Sequence, residues 1–227
     1  MNAALLSLLQ LSDPALPIGG YAHSGGLETY VQQGVVCDRG SAERFVRDML
    51  GTNLFYTDGA LVALAHGAGA GLGAGGAARE QAIGRLMELD RLCEAVKMPK
   101  EMREASRKLG GRLLKIFRGI CAGVGEKLPG HYCVAFGYCA AVLGIGLREA
   151  LTGYYYNAAA GMVTNCVKLI PMGQQDGQEV LFSLQALIGE LVEKSMQPDE
   201  ELIGLCCTGL DIRCMQHEGL YSRLYMS

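Results

Sequence analysis

Apolar residues in this chain recur at helical spacing, in stretches divided by prolines and glycines, and no stretch sustains the period-two alternation of a half-buried strand. That pattern restricts the chain to packed helices. Residues 2–12 read as a short apolar helix, and 24–33 as a second one with Ser24 as its N-cap and Gly34 as its stop. Ser41 is placed to cap a third, in which Phe45, Val46, Met49 and Leu50 fall at helical spacing; Leu54, Leu61, Val62 and Leu64 continue its apolar content. The tract GAGAGLGAGGAA, residues 67–78, is low in complexity and reads as a flexible loop. An amphipathic helix follows over 79–96. Pro99 suits the first position of the next one, Pro129 opens another, and Pro171 closes the one after that. Residues 174–194 make a further helix. Pro198 starts the last, with Asp199, Glu200 and Glu201 at the positive end of its dipole. The expectation is an all-α protein, a single domain over 1–227 of roughly eight to ten helices.

Composition narrows the function classes. Half of the 227 residues are apolar, enough for a sizeable core, and the formal net charge is only -3. A general nucleic-acid binder would carry a basic face and a high pI. Nine cysteines, an odd number with no CxxC pair, do not make the staple pattern of a secreted domain. The N-terminus has no basic run before its apolar stretch, so no signal peptide is read there. These features suggest a reducing cytoplasm, with most cysteines serving as small buried groups. From Leu128 to Leu147 there is no charge, and after Arg148 and Glu149 none until Lys168. Pro129, His131, Thr152, Asn157, Thr164 and Asn165 interrupt these spans, which favours a buried helix pair over a membrane hairpin. Ten Lys/Arg against five Asp/Glu between Arg85 and Arg118, and six acids against Lys194 alone between Glu179 and Glu201, leave a charge asymmetry able to steer a charged partner.

The stretch LSDPALPIGGYAHSGGLE, Leu11 to Glu28, cannot be one regular element. Pro14 and Pro17 each lack a donor, and its four glycines admit positive φ. His23, Ser24 and Glu28 invite a hydrolase reading. Yet adjacent His and Ser side chains rarely face each other, and no GxSxG elbow occurs, so a shaped scaffold is the better account. Gly71, Gly73 and Gly76 satisfy GxGxxG formally, but a helix end rather than a strand precedes them, and no GK[ST] follows.

Two features near the end of the chain remain. Cys206, Cys207, Cys214 and His217 lie within twelve residues. Thiolate and imidazole suit zinc or nickel, although the paired spacing of a closed site is missing. On this reading the chain is a helical metal-binding protein; otherwise His23, Cys214 and His217 are at most transient contacts. The segment GLYSRLYMS ends the sequence with Leu220, Tyr221, Leu224 and Tyr225 around Arg223. Its apolar and aromatic content suits a docking element, disordered until an apolar groove receives it.

Three blocks carry a family resemblance. LLQLSDPALPIGGYAHSGGLETYV at the start, GHYCVAFGYCAAVLGI with PMGQQDGQ in the middle, and LDIRCMQHEGLYSRLYMS at the end resemble, in the same order, the urease accessory protein F (UreF) family. The resemblance implies an all-helical, cytoplasmic, non-catalytic accessory protein that needs no cofactor and forms a homodimer. It implies binding to the accessory protein UreD/UreH, recruitment of the GTPase UreG, and delivery of nickel to the urease apoprotein. Pro17, Gly19, His23, Ser24, Glu28, Gln174, Gln178, His217, Tyr221, Arg223, Leu224 and Tyr225 then become scaffold or partner-binding residues, with 211–227 as the docking tail. From the residues alone, a helical hydrolase and a stable metal-binding protein remain the alternatives.

Overall fold

The structure, a computed structural model, describes residues 3–122, 124, 128, 130–205 and 207–227; Pro129 and Cys206, both singled out above, lie outside these. Among the described residues the regular elements are all helical. They are α1 (Ala3–Leu11), α2 (Leu27–Gln32), α3 (Arg39–Met49), α4 (Ala60–Ala70), α5 (Ala77–Val96), α6 (Lys100–Ile120), α7 (Tyr132–Val142), α8 (Leu147–Leu169), α9 (Gln174–Ser183), α10 (Gln185–Ser195) and α11 (Thr208–His217). A π-helical segment, Leu50–Gly59, joins α3 to α4 in one continuous rod. No helix among the described residues is long and apolar enough to cross a membrane.

Caps depart from the sequence reading by a few residues, each for a local reason. Asp38, not Ser41, caps α3: its carboxylate accepts from Ser41 N at 2.7 Å, and the Ser41 hydroxyl returns to Asp38 N at 3.0 Å, a capping box. Residues 174–194 are two helices, because the fully buried Leu184 turns the chain between α9 and α10. Asp199 caps only a short 3₁₀ turn, Glu200–Leu202, and the last helix starts at Thr208. The Gly/Ala tract is not a loop throughout. α4 continues to Ala70 and a 3₁₀ turn follows over Gly71–Gly73, so little of 67–78 is left as a connection. The cause is packing, for Gly69 is buried on α4 against Tyr138 of α7.

The α4–α7 crossing is the tightest part of the core. α7 is buried from Cys133 to Ala140, on every face, as a central helix must be. At Gly137 a Cβ would run into the carbonyl oxygen of Val62 and approach the Ala65 Cβ to 3.1 Å. α8 lies alongside and also touches α1, α2, α3, α9 and α10. Between these helices Tyr132, Phe136 and Tyr154 form an edge-packed aromatic cluster, with Phe136 and Tyr154 centroids 5.1 Å apart.

One charged group sits within this apolar layer. Lys97, buried between α5 and α6, donates to Asp58 Oδ2 at 2.8 Å, and the Tyr154 hydroxyl donates to Asp58 Oδ1 at 2.9 Å. Burial opposes the ammonium charge, but the Asp58 carboxylate beside it holds it on the protonated side. The π segment turns Asp58 inward to meet it.

Two glycines test this account of the core. Gly137→Ala is expected to lower stability by about 1–3 kcal/mol through overpacking. Gly111→Ala, on the exposed face of α6 with open space around it, is expected to be neutral or to stabilise by up to about 1 kcal/mol. Urea unfolding followed by circular dichroism compares the two; equal effects would refute the close crossing.

Candidate functional site

The Leu11–Glu28 segment is built to present backbone donors and one carboxylate. Gly19 and Gly26 adopt positive φ, at 86° and 85°, and turn the chain twice within eight residues. Gly26, rather than Ser24, is the N-cap of α2, and a Cβ there would lie 2.7 Å from the Cys214 sulfur of α11. Only a glycine meets both demands. Ser24 is buried, with its hydroxyl 3.5 Å from Glu28 N, while Arg112 of α6 clasps Ile18 O at 2.8 Å.

Glu28 is buried at the start of α2 and is fully engaged. Its Oε1 accepts from Leu224 N at 2.7 Å, and its Oε2 accepts from Tyr225 N at 3.2 Å and from His217 Nε2 at 3.1 Å. His217, with no exposed surface, sets its other nitrogen 2.6 Å from Glu101 Oε2 on α6. Both ring nitrogens thus lie within hydrogen-bond reach of a carboxylate oxygen. Arg223 completes the chain of charges, donating to Glu101 Oε1 at 2.7 Å. The tail is also laced along the opening segment. Met226 N donates to Ala22 O at 2.8 Å, Ser24 N and Gly25 N both donate to Ser227 O, and the Ser227 hydroxyl meets His23 Nδ1 at 2.7 Å.

This arrangement corrects the expectation of a disordered tail. Residues 218–227 are seated on the chain's own core, with Tyr225 and Ser227 buried. The sequence shows each polar group but not that they converge, since Glu28 and His217 are separated by 189 positions. Glu101 makes two of these contacts, to His217 and to Arg223, and was not singled out from sequence; only its place on an α6 face turned to α11 reveals it. Tyr221 is fully exposed, and Leu224 and Met226 are 69% and 58% exposed, so the tail fastens by backbone and polar groups and the Tyr225 ring and turns these three side chains outward. Ile212 and Met215 of α11 are exposed as well.

The other expected site residues are distributed differently. His23 and Ser24 engage separate partners, so they form no nucleophile–base pair. Burial, then the charges of Lys108 and Arg112, push His23 below the usual histidine range and favour its neutral form. Pro17 is exposed, and Gln174 and Gln178 stand exposed on α9, which packs on α3, α8 and α10, outside the Glu28 network. Among the described residues of the Cys/His cluster, Cys207, Cys214 and His217 are not assembled into a metal centre. Burial, with the charges of Asp211 and Glu101, pushes the Cys214 thiol up to about 12, and both His217 nitrogens are engaged by carboxylates. Among the described residues no group of three or more His, Cys, Asp or Glu is arranged to hold a metal. Gly71, Gly73 and Gly76 connect two helices, which removes the strand a dinucleotide turn requires. Beside the seated tail, a cavity of about 310 Å³ opens between His23, Ser227, Asn165, Lys97, Asp58 and Tyr132.

The UreF family profile matches residues 36–185. A protein of Actinobacillus pleuropneumoniae serotype 3 named urease accessory protein UreF is 45% identical over 97% of this chain and 98% of its own length. Proteins of the same name from Haemophilus influenzae Rd and Arthrobacter sp. FB24 are 44% and 34% identical, covering 97% and 98% of this chain and 94% and 96% of theirs.

The seating of the tail is open to test by hydrogen exchange. Glu28→Ala removes the acceptor of two tail amides, and hydrogen bonds to a charged group are worth about 1.5–3 kcal/mol each. Protection of the Leu224 and Tyr225 amides is expected to fall by about a hundredfold or more, with the α4–α7 amides unchanged. Equal protection in the variant and the parent chain would show that Glu28 does not hold the tail.

Proposed function

The chain belongs to the UreF family and is a non-catalytic urease accessory protein, and we propose that it acts by bridging UreD/UreH and the GTPase UreG while nickel is inserted into the urease apoprotein. The bridging roles, a homodimeric state and a cytoplasmic setting follow from the family resemblance of the opening, middle and closing blocks. One observation at the site supports a docking role: the tail is fastened through Glu28 and Glu101, yet Tyr221, Leu224 and Met226 face solvent. A segment held by its backbone presents apolar anchors with part of its ordering entropy already lost, which lowers the cost of binding. Tyr221 and Leu224 flank Arg223 in the tail, and Ile212 and Met215 of α11 are exposed as well, so the C-terminal region offers several apolar anchors with a charged group among them. UreD/UreH is the partner we assign to it. Beyond His217 the tail carries no helix, so the receiving surface meets an extended strap rather than a helix laid in a groove.

Tyr221→Ala combined with Leu224→Ala is the direct test, because neither side chain supports the core. The double variant is expected to keep its melting temperature and helical content. Its binding to UreD/UreH, measured by titration calorimetry, is expected to weaken by about thirtyfold or more, the effect of losing one hot spot of roughly 2 kcal/mol. Unchanged affinity would move the partner surface elsewhere.

A further inference from the structure

Cys93, near the end of α5, and Cys133, in the first turn of α7, place their Sγ atoms 3.6 Å apart with neither thiol exposed. The docking role makes no use of them. Their surroundings are more polar than an inert thiol pair needs. Lys97 lies one helical turn beyond Cys93, and its ammonium bonds Asp58. His131, the N-cap residue of α7, sets Nε2 2.9 Å from Glu94 Oε2 and Nδ1 3.2 Å from the Ser106 hydroxyl, while its backbone N–H donates to Asp90 at 2.7 Å. An imidazole pinned on both sides and an ammonium stand next to two sulfurs in contact.

The two sulfurs are not equivalent. The hydrogen bond with Cys133, with help from His131 and the Lys97 charge, pulls the Cys93 thiol below its ordinary range against the effect of burial. Burial, then the same hydrogen bond and the Cys93 charge, push Cys133 up. One sulfur is thus disposed to attack and the other to stay protonated until it resolves the product. Access is also provided for. Lys97, Asp58, Ser106 and Tyr132, which surround or adjoin the pair, also line the 310 Å³ cavity beside the tail. The sulfurs themselves do not line that cavity, so a small molecule there meets these side chains before the thiols.

We propose that Cys93 and Cys133 are a two-thiol oxidation site, at which a hydroperoxide of the size of hydrogen peroxide converts them to a disulfide that ties α5 to α7. The Cys93 sulfur attacks one peroxide oxygen, the O–O bond breaks, and the released hydroxide takes the Cys93 thiol proton and leaves as water. Cys93 is then a sulfenic acid. The Cys133 sulfur attacks the sulfenic sulfur, the S–O bond breaks, and the hydroxyl leaves as a second water with the Cys133 proton. Two thiols and one peroxide give one disulfide and two waters, and the two electrons lost by the sulfurs reduce the peroxide. Closing from 3.6 Å to a disulfide length of about 2 Å is a side-chain movement, not a refolding. The link would clamp one side of the α4–α7 layer next to the Lys97–Asp58 pair.

The test uses the full native chain. One equivalent of hydrogen peroxide is added, free thiols are then alkylated under denaturing conditions, and the protein is mapped by peptide mass spectrometry. The expected result is a Cys93–Cys133 linked peptide as the main oxidised species, reversed by dithiothreitol. Helical content should be unchanged and the melting temperature raised by about 5 °C or more. The variant Cys133→Ser, which lacks the resolving sulfur, should accumulate a dimedone-reactive sulfenic acid at Cys93. The proposal is overturned if Cys93 and Cys133 remain fully alkylatable while exposed Cys37 and the partly exposed Cys121 and Cys207 oxidise. It is equally overturned if the 93–133 link forms only after the chain is unfolded in urea.

Discussion

A carboxylate can only accept hydrogen bonds, and burying one without donors is far more costly than burying an apolar group. Glu28 meets that constraint with donors brought from a distant segment: the backbone of Leu224 and Tyr225 and the ring of His217. The rest of the C-terminal region follows from it. His217 must point inward, which orients α11. Its second nitrogen then needs Glu101 of α6, and Glu101 in turn holds Arg223. Gly26 lets the opening loop approach the Cys214 sulfur of α11, and Gly25, also at positive φ, turns its amide toward Ser227 O. Removing any member of this chain strands another one, so the group acts as a unit rather than as separate ion pairs.

The seating of the tail also explains the opposed character of its side chains. Residues that face the core are small or polar-tipped, as in Ser227 and Tyr225, whereas Tyr221, Leu224 and Met226 face water. A tail that only completed its own fold would bury its largest apolar groups first, at about 25 cal/mol per Å². Here Tyr225 is buried while Tyr221, Leu224 and Met226 stay exposed, and the docking role proposed for the tail rests on that exposed strip.

The core depends on a separate device. Small residues on α4 and α7 bring two backbones into contact, and this close approach keeps part of the Gly/Ala tract helical. The Lys97–Asp58–Tyr154 group sits beside that crossing, satisfied by its own members. It also sets the charge next to the Cys93 and Cys133 thiols.

The helical class, the extents of helices such as α1, α5 and α6, the shaped character of residues 11–28 and the family were legible in the sequence. Each rests on local spacing or on an ordered block of residues. The caps of α2 and α3 were misplaced by two or three residues, because several Ser, Asp and Gly candidates stand together and only the backbone geometry selects one. The break at Leu184 and the continuation of α4 into the glycines were not legible, because packing overrode propensity at both places. The sequence displayed Glu28, His217 and Arg223 as separate candidates and gave no sign that Glu101 joins them or that Cys93 meets Cys133. Helical periodicity is a property of neighbours three and four positions apart, whereas these pairings join residues 40 to 197 positions apart and exist only once every helix has its neighbours.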